Sequence, residues 1–349
     1  LIPGQKVSVS KIRPISRAFF KLIEIYNTHN IFLYNKPIKS FHLAEGPGGF
    51  IEATAYIRNN PQDKYYGMTL INKDGNIPGW KKAEAMMKKY GNINIEYGAD
   101  EKGDLYNHEN LLYCKQHYKN SMNIITADGG FDFSQDYNNQ EKNAFRLIFT
   151  QVAYAITMQK LHGTFVLKIF DILEKSTMQV LYLLNCFYET IIITKPYTSR
   201  YANSEKYIVC KGFRIKNSEE FYHKFYSLFE NNIFDNFITN ILTNDIPVYF
   251  VNKIEEINSI IGHYQIENIN STINLIINNV SGDKLENIKN ANIQKCLGWC
   301  NKHKLPVNSI SDNKYINSSN VNSANANSAN ANSANANSTK TENSINHII

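Results

Sequence analysis

Between residues 11 and 214 the chain alternates short apolar runs with amphipathic stretches of helical period, and this alternation constrains its fold more than any other feature. Strands are expected at Ser40–Ala44, Tyr65–Leu70, Ile93–Tyr97, Asn123–Ala127, Thr164–Ile169, Glu189–Thr194 and Lys206–Lys211. Between them, Ile51–Arg58, Lys81–Lys89, Glu141–Leu161 and Thr177–Cys186 carry helical periodicity. Repeated strand–helix units describe an α/β domain, here a doubly wound, mostly parallel sheet with helices on both faces.

Two further zones follow, giving boundaries at 1–214, 215–310 and 311–349. Residues 215–310 read as a mainly helical extension in which Phe221, Phe225, Leu228 and Phe229 form an apolar stripe suited to packing. From Ser311 the apolar periodicity stops, and Ser323–Ser338 repeats a SANAN unit of period five. So polar a tract buries too little apolar area to offset chain entropy, and 311–349 is expected to be a disordered tail.

Composition acts mainly by exclusion. A net charge of +6 fits a polyanionic partner without specifying one. No stretch approaches the roughly 18 unbroken apolar residues of a membrane span. The five cysteines, Cys114, Cys186, Cys210, Cys296 and Cys300, suggest no disulfide framework, and Cys186 and Cys210 read as core thiols within apolar runs. A reducing, intracellular setting in nucleus or cytoplasm is the expectation. Leu1 in place of an initiator Met, with no signal-peptide pattern, suggests a fragment or processed form. Cys296, Cys300 and His303 offer three metal ligands at helical spacing without a fourth, so a packed helix around Trp299 is expected and no metal.

The first chemical signal is Ser40-Phe-His-Leu-Ala-Glu-Gly-Pro-Gly-Gly-Phe50, an apolar strand, a Gly/Pro turn and a helix start. Glycines admit close backbone approach to a ligand, and a helix N-terminus offers free N–H groups and positive potential. Glu45 falls at the carboxyl end of the first strand, where open α/β sheets bind ligands. An ordinary strand-to-helix turn fits the same residues. The turn does not match G-x-G-x-x-G, which argues against a nicotinamide dinucleotide.

Glu45-Gly-Pro-Gly-Gly-Phe50 resembles the methyl-donor loop of FtsJ-type S-adenosylmethionine-dependent RNA 2′-O-methyltransferases. The resemblance implies a Rossmann-like methyltransferase sheet ending in an antiparallel hairpin, and that Glu45, Gly46, Pro47, Gly48, Gly49 and Phe50 hold the methionine end of S-adenosylmethionine. Gly67-Met-Thr-Leu70 is similar to the cap-modifying branch and implies Thr69 as a further donor contact. Tyr97-Gly-Ala-Asp-Glu-Lys-Gly-Asp-Leu105 looks like a segment of that branch, which assigns Asp100 and Asp104 to the adenosine end.

A second group is spread along the chain. Asp128 ends an apolar strand, Lys168 sits inside Phe165-Val-Leu-Lys-Ile-Phe-Asp171, Glu205 opens another strand, and Lys21 lies on an amphipathic helix. A lysine in an apolar strand is costly unless paired or functional. In order and local context the four match the Lys-Asp-Lys-Glu tetrad of the same family, and Lys195-Pro-Tyr-Thr-Ser-Arg-Tyr-Ala-Asn-Ser-Glu205 closely resembles its cap-specific mRNA version.

The chemistry explains the residue types. A ribose 2′-hydroxyl must lose its proton as it attacks the methyl carbon, and an amine kept neutral by burial and a neighbouring ammonium can accept it. Lys168 is assigned that role, with Asp128 orienting it and also bordering the donor, Lys21 as the neighbouring cation at the acceptor oxygen, and Glu205 holding Lys21. Arg17, Asn138, Glu141, Arg200, Asn203 and Ser204 are candidate RNA contacts, and Arg13, Lys36 and Lys39 add basic charge for a phosphate track. Phe131, Phe133 and Tyr137 are open both to base stacking and to packing. The resulting expectation is 2′-O-methylation of cap-proximal mRNA nucleotides, with capped RNA and other capping or transcription proteins as partners. Methylation of ribosomal or transfer RNA, or an inactive RNA-binding scaffold, are the alternatives.

Overall fold

The computed structural model describes residues 8–32, 36–71, 79–130, 136, 138–230 and 238–308. Phe131, Phe133, Tyr137 and the SANAN tail lie outside the described residues. Among the described residues, seven strands form one sheet: β1 (Lys39–Leu43), β2 (Lys64–Met68), β3 (Ile93–Glu96), β4 (Met122–Ala127), β5 (Gln159–Ile169), β6 (Tyr188–Thr194) and β7 (Lys206–Phe213). Their order is β3-β2-β1-β4-β5-β7-β6. Pairs from β3 to β5 are parallel, whereas β7 runs antiparallel to both β5 and β6. A hairpin of the last two strands was implied; β7 also inserts between β5 and β6.

Consecutive residues of β1, β4 and β7 are buried, so the centre of the sheet is covered on both faces, and the polar residues this buries in β1 and β4 pair with each other, His42 with Ser40 and Thr126. The helices are α1 (Ala18–Thr28), α2 (Gly49–Arg58), α3 (Glu84–Lys89), α4 (His108–Tyr118), α5 (Gln140–Met158), α6 (Lys175–Phe187), α7 (Glu219–Glu230), α8 (Val248–Ile277) and α9 (Gly282–Lys302). On α7 the buried stripe is Tyr222, Phe225 and Phe229, with Phe225 edge-on to Phe149 of α5.

Three sequence expectations change. The helix over α5 stops at Met158 instead of Leu161, because Gln159 pairs with Met122 in the sheet and its amide donates to the Met122 carbonyl at 2.8 Å. α4 was not expected: its apolar residues are confined to the single run 111–114 with polar residues on both sides, although Asn107 caps its start by accepting from the Glu109 N–H. Cys186 is exposed, not a core thiol, since the buried face of α6 runs through Val180, Leu181, Leu184 and Phe187; Cys210, on β7, is buried.

The described residues fall into two compact units, 14–266 and the combination of 8–13 with 267–308. The first holds the whole sheet. In the second, Ser10 bridges Val307 antiparallel, and α9 buries Ile293 and Cys300 while Cys296 stays exposed. No helix among the described residues is long and apolar enough to cross a membrane.

Candidate active site

Where the strand order reverses between β1 and β4, the carboxyl ends of the parallel strands diverge, and an open α/β sheet presents its ligand crevice there. A cleft of about 1110 Å³ occupies this edge. Because β7 is antiparallel, its beginning rather than its end lies at the same edge, and this brings Glu205 and Tyr207 beside the ends of β4 and β5.

One end of the cleft is made by turns. It is lined by Ala44, Gly46, Thr69, Gly103, Asp104, Leu105, Tyr106 and Gly129. Gly48 has φ +117, a left-handed conformation that side chains resist, and a Cβ there would stand 2.9 Å from Met86 Cε. The glycine therefore serves the shape of the turn; Gly46, not Gly48, faces the cleft. Glu45 is buried and its Oε1 accepts the N–H groups of Phe50 and Ile51, so the first turn of α2 is capped from within. The helix N-terminus is thus not free for a ligand, as the sequence had suggested. Glu45 Oε2 is buried with no hydrogen-bond partner among the described residues. Burial, with the Asp128 charge nearby, holds this carboxyl well above its ordinary pKa.

Asp100 and Asp104 separate. Asp104 lines the cleft. Asp100 is absorbed by its own loop, its Oδ1 accepting from the backbone of Lys102 and Gly103. Pro47 and Gly49 complete the turn, and Phe50 is buried against the Tyr207 ring at 5.9 Å.

The other end is made by side chains. Lys168 Nζ donates to the Asp128 carbonyl at 2.6 Å and stands 3.3 Å from Asp128 Oδ1. Lys21 Nζ donates to Glu205 Oε1 at 2.7 Å, joining residues 184 apart in sequence. The Tyr207 hydroxyl lies 3.1 Å from Asp128 Oδ1 and 3.4 Å from Glu205 Oε1, linking the two pairs. Ser199 Oγ donates to the same Glu205 oxygen at 2.8 Å. Burial would raise the Glu205 carboxyl, but the Lys21 ammonium, its hydrogen bond and the Lys168 charge hold it below the ordinary range. Burial and the two carboxylates push the Tyr207 phenol well up, so it stays a neutral donor.

Tyr207 and Ser199 were missed by sequence reasoning, as were two clamps on the loop before Glu205. Glu24, one turn beyond Lys21 on α1, accepts from the Tyr197 and Thr198 backbone. Lys195 donates to the Asn203 and Glu205 carbonyls, with a pKa lowered to about 8 by burial and by the Lys206 charge. Of the candidate RNA contacts, Asn138, Arg200, Asn203 and Ser204 line the cleft. Glu141 points inward, accepting from the Leu173 and Glu174 N–H groups ahead of α6. Arg17 is exposed at the start of α1, and Lys36 and Lys39 are exposed away from the cleft lining.

The sheet order, the turn after β1 and the cleft along its edge define a Rossmann-like methyltransferase domain. The chain belongs to the FtsJ-like methyltransferase family, whose model matches residues 14–213, more than half of its 349 residues. It is 28% identical over 216 residues to cap-specific mRNA (nucleoside-2′-O-)-methyltransferase 2 of Drosophila melanogaster, covering 58% of this chain and 31% of that protein. It is 32% identical over 199 residues to cap-specific mRNA (nucleoside-2′-O-)-methyltransferase 1 of Homo sapiens, covering 52% and 23%. The chain therefore spans less than a third of the length of these relatives. A solved structure described as a ribosomal RNA methyltransferase from Plasmodium falciparum overlays with a TM-score of 0.40 at 21% identity, over 57% of this chain and 97% of its own.

Proposed function

We propose that this chain transfers a methyl group from S-adenosylmethionine to a ribose 2′-hydroxyl of RNA, at cap-proximal nucleotides of mRNA. The observation that carries the reading is the convergence of Lys21, Asp128, Lys168 and Glu205 at one end of a cleft whose other end is a glycine-rich turn. The substrate class rests on the names of the relatives, which are cap-specific mRNA enzymes. Such a substrate places the activity in the nucleus or cytoplasm.

The donor end suits this co-substrate. The sulfonium and ammonium of the donor meet Asp104 and Asp128, and the ring of an adenosine meets Leu105, Tyr106 and Leu147. When bound, S-adenosylmethionine supplies a methyl carbon already activated by its positive sulfur. The residues of the chain do the rest by positioning and by moving one proton. The Lys168 amine donates to the Asp128 carbonyl and stands beside the Asp128 carboxylate, which places it to take the proton of the acceptor hydroxyl. The 2′-oxygen forms the new bond to carbon as the carbon–sulfur bond breaks, the bond pair stays on sulfur, and the hydroxyl proton passes to Lys168 Nζ. Lys21, held by Glu205, offsets charge that develops on the oxygen.

The test is methyl transfer by the full chain from labelled donor to RNA of one sequence, capped and uncapped, followed by nuclease mapping. Label on a near-terminal ribose of the capped RNA is expected. Equal label at internal sites of both RNAs removes the cap reading, and no label on any RNA removes the methyltransferase reading.

A further inference from the structure

The family-matched residues end at 213, yet the cleft has one lining residue beyond them among the described residues, Gln265 of α8. The sequence of α8 shows how it arrives there. Phe250, Ile254 and Ile257 recur at helical spacing and are buried, with Phe250 edge-on to Tyr182 of α6 at 5.2 Å. Asn258 Nδ2 then donates to the Ile172 carbonyl at 2.7 Å, fixing the helix against the turn that follows β5. Continued by Ile261 and then Gln265, the same face changes from apolar to carboxamide where it reaches the cleft.

Gln265 is weakly held. Its Nε2 lies 3.5 Å from the Ala202 carbonyl, at the outer limit of a hydrogen bond. That carbonyl belongs to the loop carrying Arg200, Asn203 and Glu205, so Gln265 borders the acceptor end and not the donor end. A carboxamide carries two N–H donors beside a carbonyl acceptor, and this pairs with the edge of an unstacked nucleobase. A phosphate would call for a cation, which Arg200 supplies nearby.

We propose that α8 is part of the acceptor site, with the Gln265 carboxamide reading the base edge of the nucleotide next to the ribose presented to Lys168. This rests on the RNA methyltransferase reading above. A helix outside the family-matched residues thereby sets which RNA sequences are preferred, while the chemistry stays with the tetrad.

The experiment uses the full chain and a set of capped RNAs differing only in the bases that flank the methylated ribose, with KM, kcat and donor affinity measured for each. Gln265→Ala is expected to raise KM for the preferred RNA about fivefold to twentyfold, the scale of one or two lost hydrogen bonds. It should also flatten the base preference, with kcat within about twofold and donor affinity unchanged. Gln265→Glu, which keeps the acceptor and loses the donors, should move the preference toward cytosine, whose edge offers an N–H group. Packing alone would not produce that move. Wild-type KM and base preference in both variants overturn the proposal while leaving the methyltransferase reading intact. A wild-type chain that methylates none of the RNAs overturns both.

Discussion

The two ends of the cleft hold two carboxyl groups, one buried and one partly buried, that the fold pushes in opposite directions. Glu45, at the donor end, sits among backbone N–H groups, and burial together with the Asp128 charge holds it above the ordinary carboxylate pKa. Glu205, at the acceptor end, is partly buried, yet lysine charges hold it below that value. The donor end is a backbone surface, shaped by turns a few residues long. The acceptor end is a side-chain surface, assembled from α1 and the edges of β4, β5 and β7. A turn controls shape and therefore binding, whereas converging charges control protons and therefore rate. If that division is right, substitutions at the two ends should fail differently.

The largest effect is expected at Lys168. Lys168→Ala should lower methyl transfer about a thousandfold, within the range of a lost general base. Donor affinity by calorimetry should stay within about threefold, because no turn is disturbed. Lys168→Arg should be nearly as damaging, since a guanidinium stays protonated. An arginine variant with near-full rate would make the group an electrostatic one, with solvent taking the proton. The matching substitution at the donor end is Gly48→Val. A β-branched residue at φ +117 is strained by about 1–3 kcal/mol and meets Met86, so the turn must move. Donor affinity should fall at least tenfold, with kcat at saturating donor much less changed. Equal losses of affinity from both substitutions would erase the distinction between the ends.

The same division explains what could be read in advance. β1, its turn and α2 follow one another within twenty residues, and local glycine and apolar patterns marked all three. The sheet was legible because strands buried on both faces carry neighbouring apolar residues, as in Ile124 and Ile125 of β4 and in Ile208, Val209 and Cys210 of β7. The tetrad was not legible from spacing: Lys21 and Glu205 meet across 184 residues, and only the resemblance of each motif to a family connected them. Tyr207 left no trace, since a buried Tyr in β7 looks like core, and its role lies in a hydroxyl that reaches Asp128 and Glu205. Glu45 was noticed for its position, but its capping of α2 depends on the turn folding it back over Phe50 and Ile51. Asp100 and Asp104, four residues apart, could be divided only by hydrogen bonds that an Asx-type loop makes within itself.

Tyr207→Phe sharpens the comparison at an intermediate scale. The ring keeps its contact with Phe50, so the fold should hold. Loss of one hydroxyl that donates toward two carboxylates should cost about 1–2 kcal/mol of alignment, lowering kcat roughly fivefold to thirtyfold with donor affinity unchanged. A fall in donor affinity instead would mean that Tyr207 supports the turn through Phe50 rather than the charges.

The smallest effect, and the most direct test of the opposed carboxylates, is stability against pH without ligand. Glu205 has a folded pKa below its ordinary 4.5, so the stability it contributes is full above that value and lost as pH falls through the lower folded one. Glu45 has a folded pKa well above 4.5, so its contribution is full below that value and lost as pH rises. Glu205→Gln should therefore lower Tm by roughly 2–8 °C at pH 7.5, taking about 1–2 kcal/mol at roughly 2–4 °C each, with the gap closing toward pH 3. Glu45→Gln should do the reverse. Its carbonyl still accepts from Phe50 and Ile51, its amide takes the position of the unpaired Oε2 beside the Asp128 charge, and no carboxylate is left to bury. Tm should equal that of the wild type at pH 4 and exceed it by about 2–4 °C at pH 7.5. Thermal melts of both variants across that range decide the matter, and two gaps of the same sign at pH 7.5 would mean that burial alone, not the surrounding charges, governs both carboxylates.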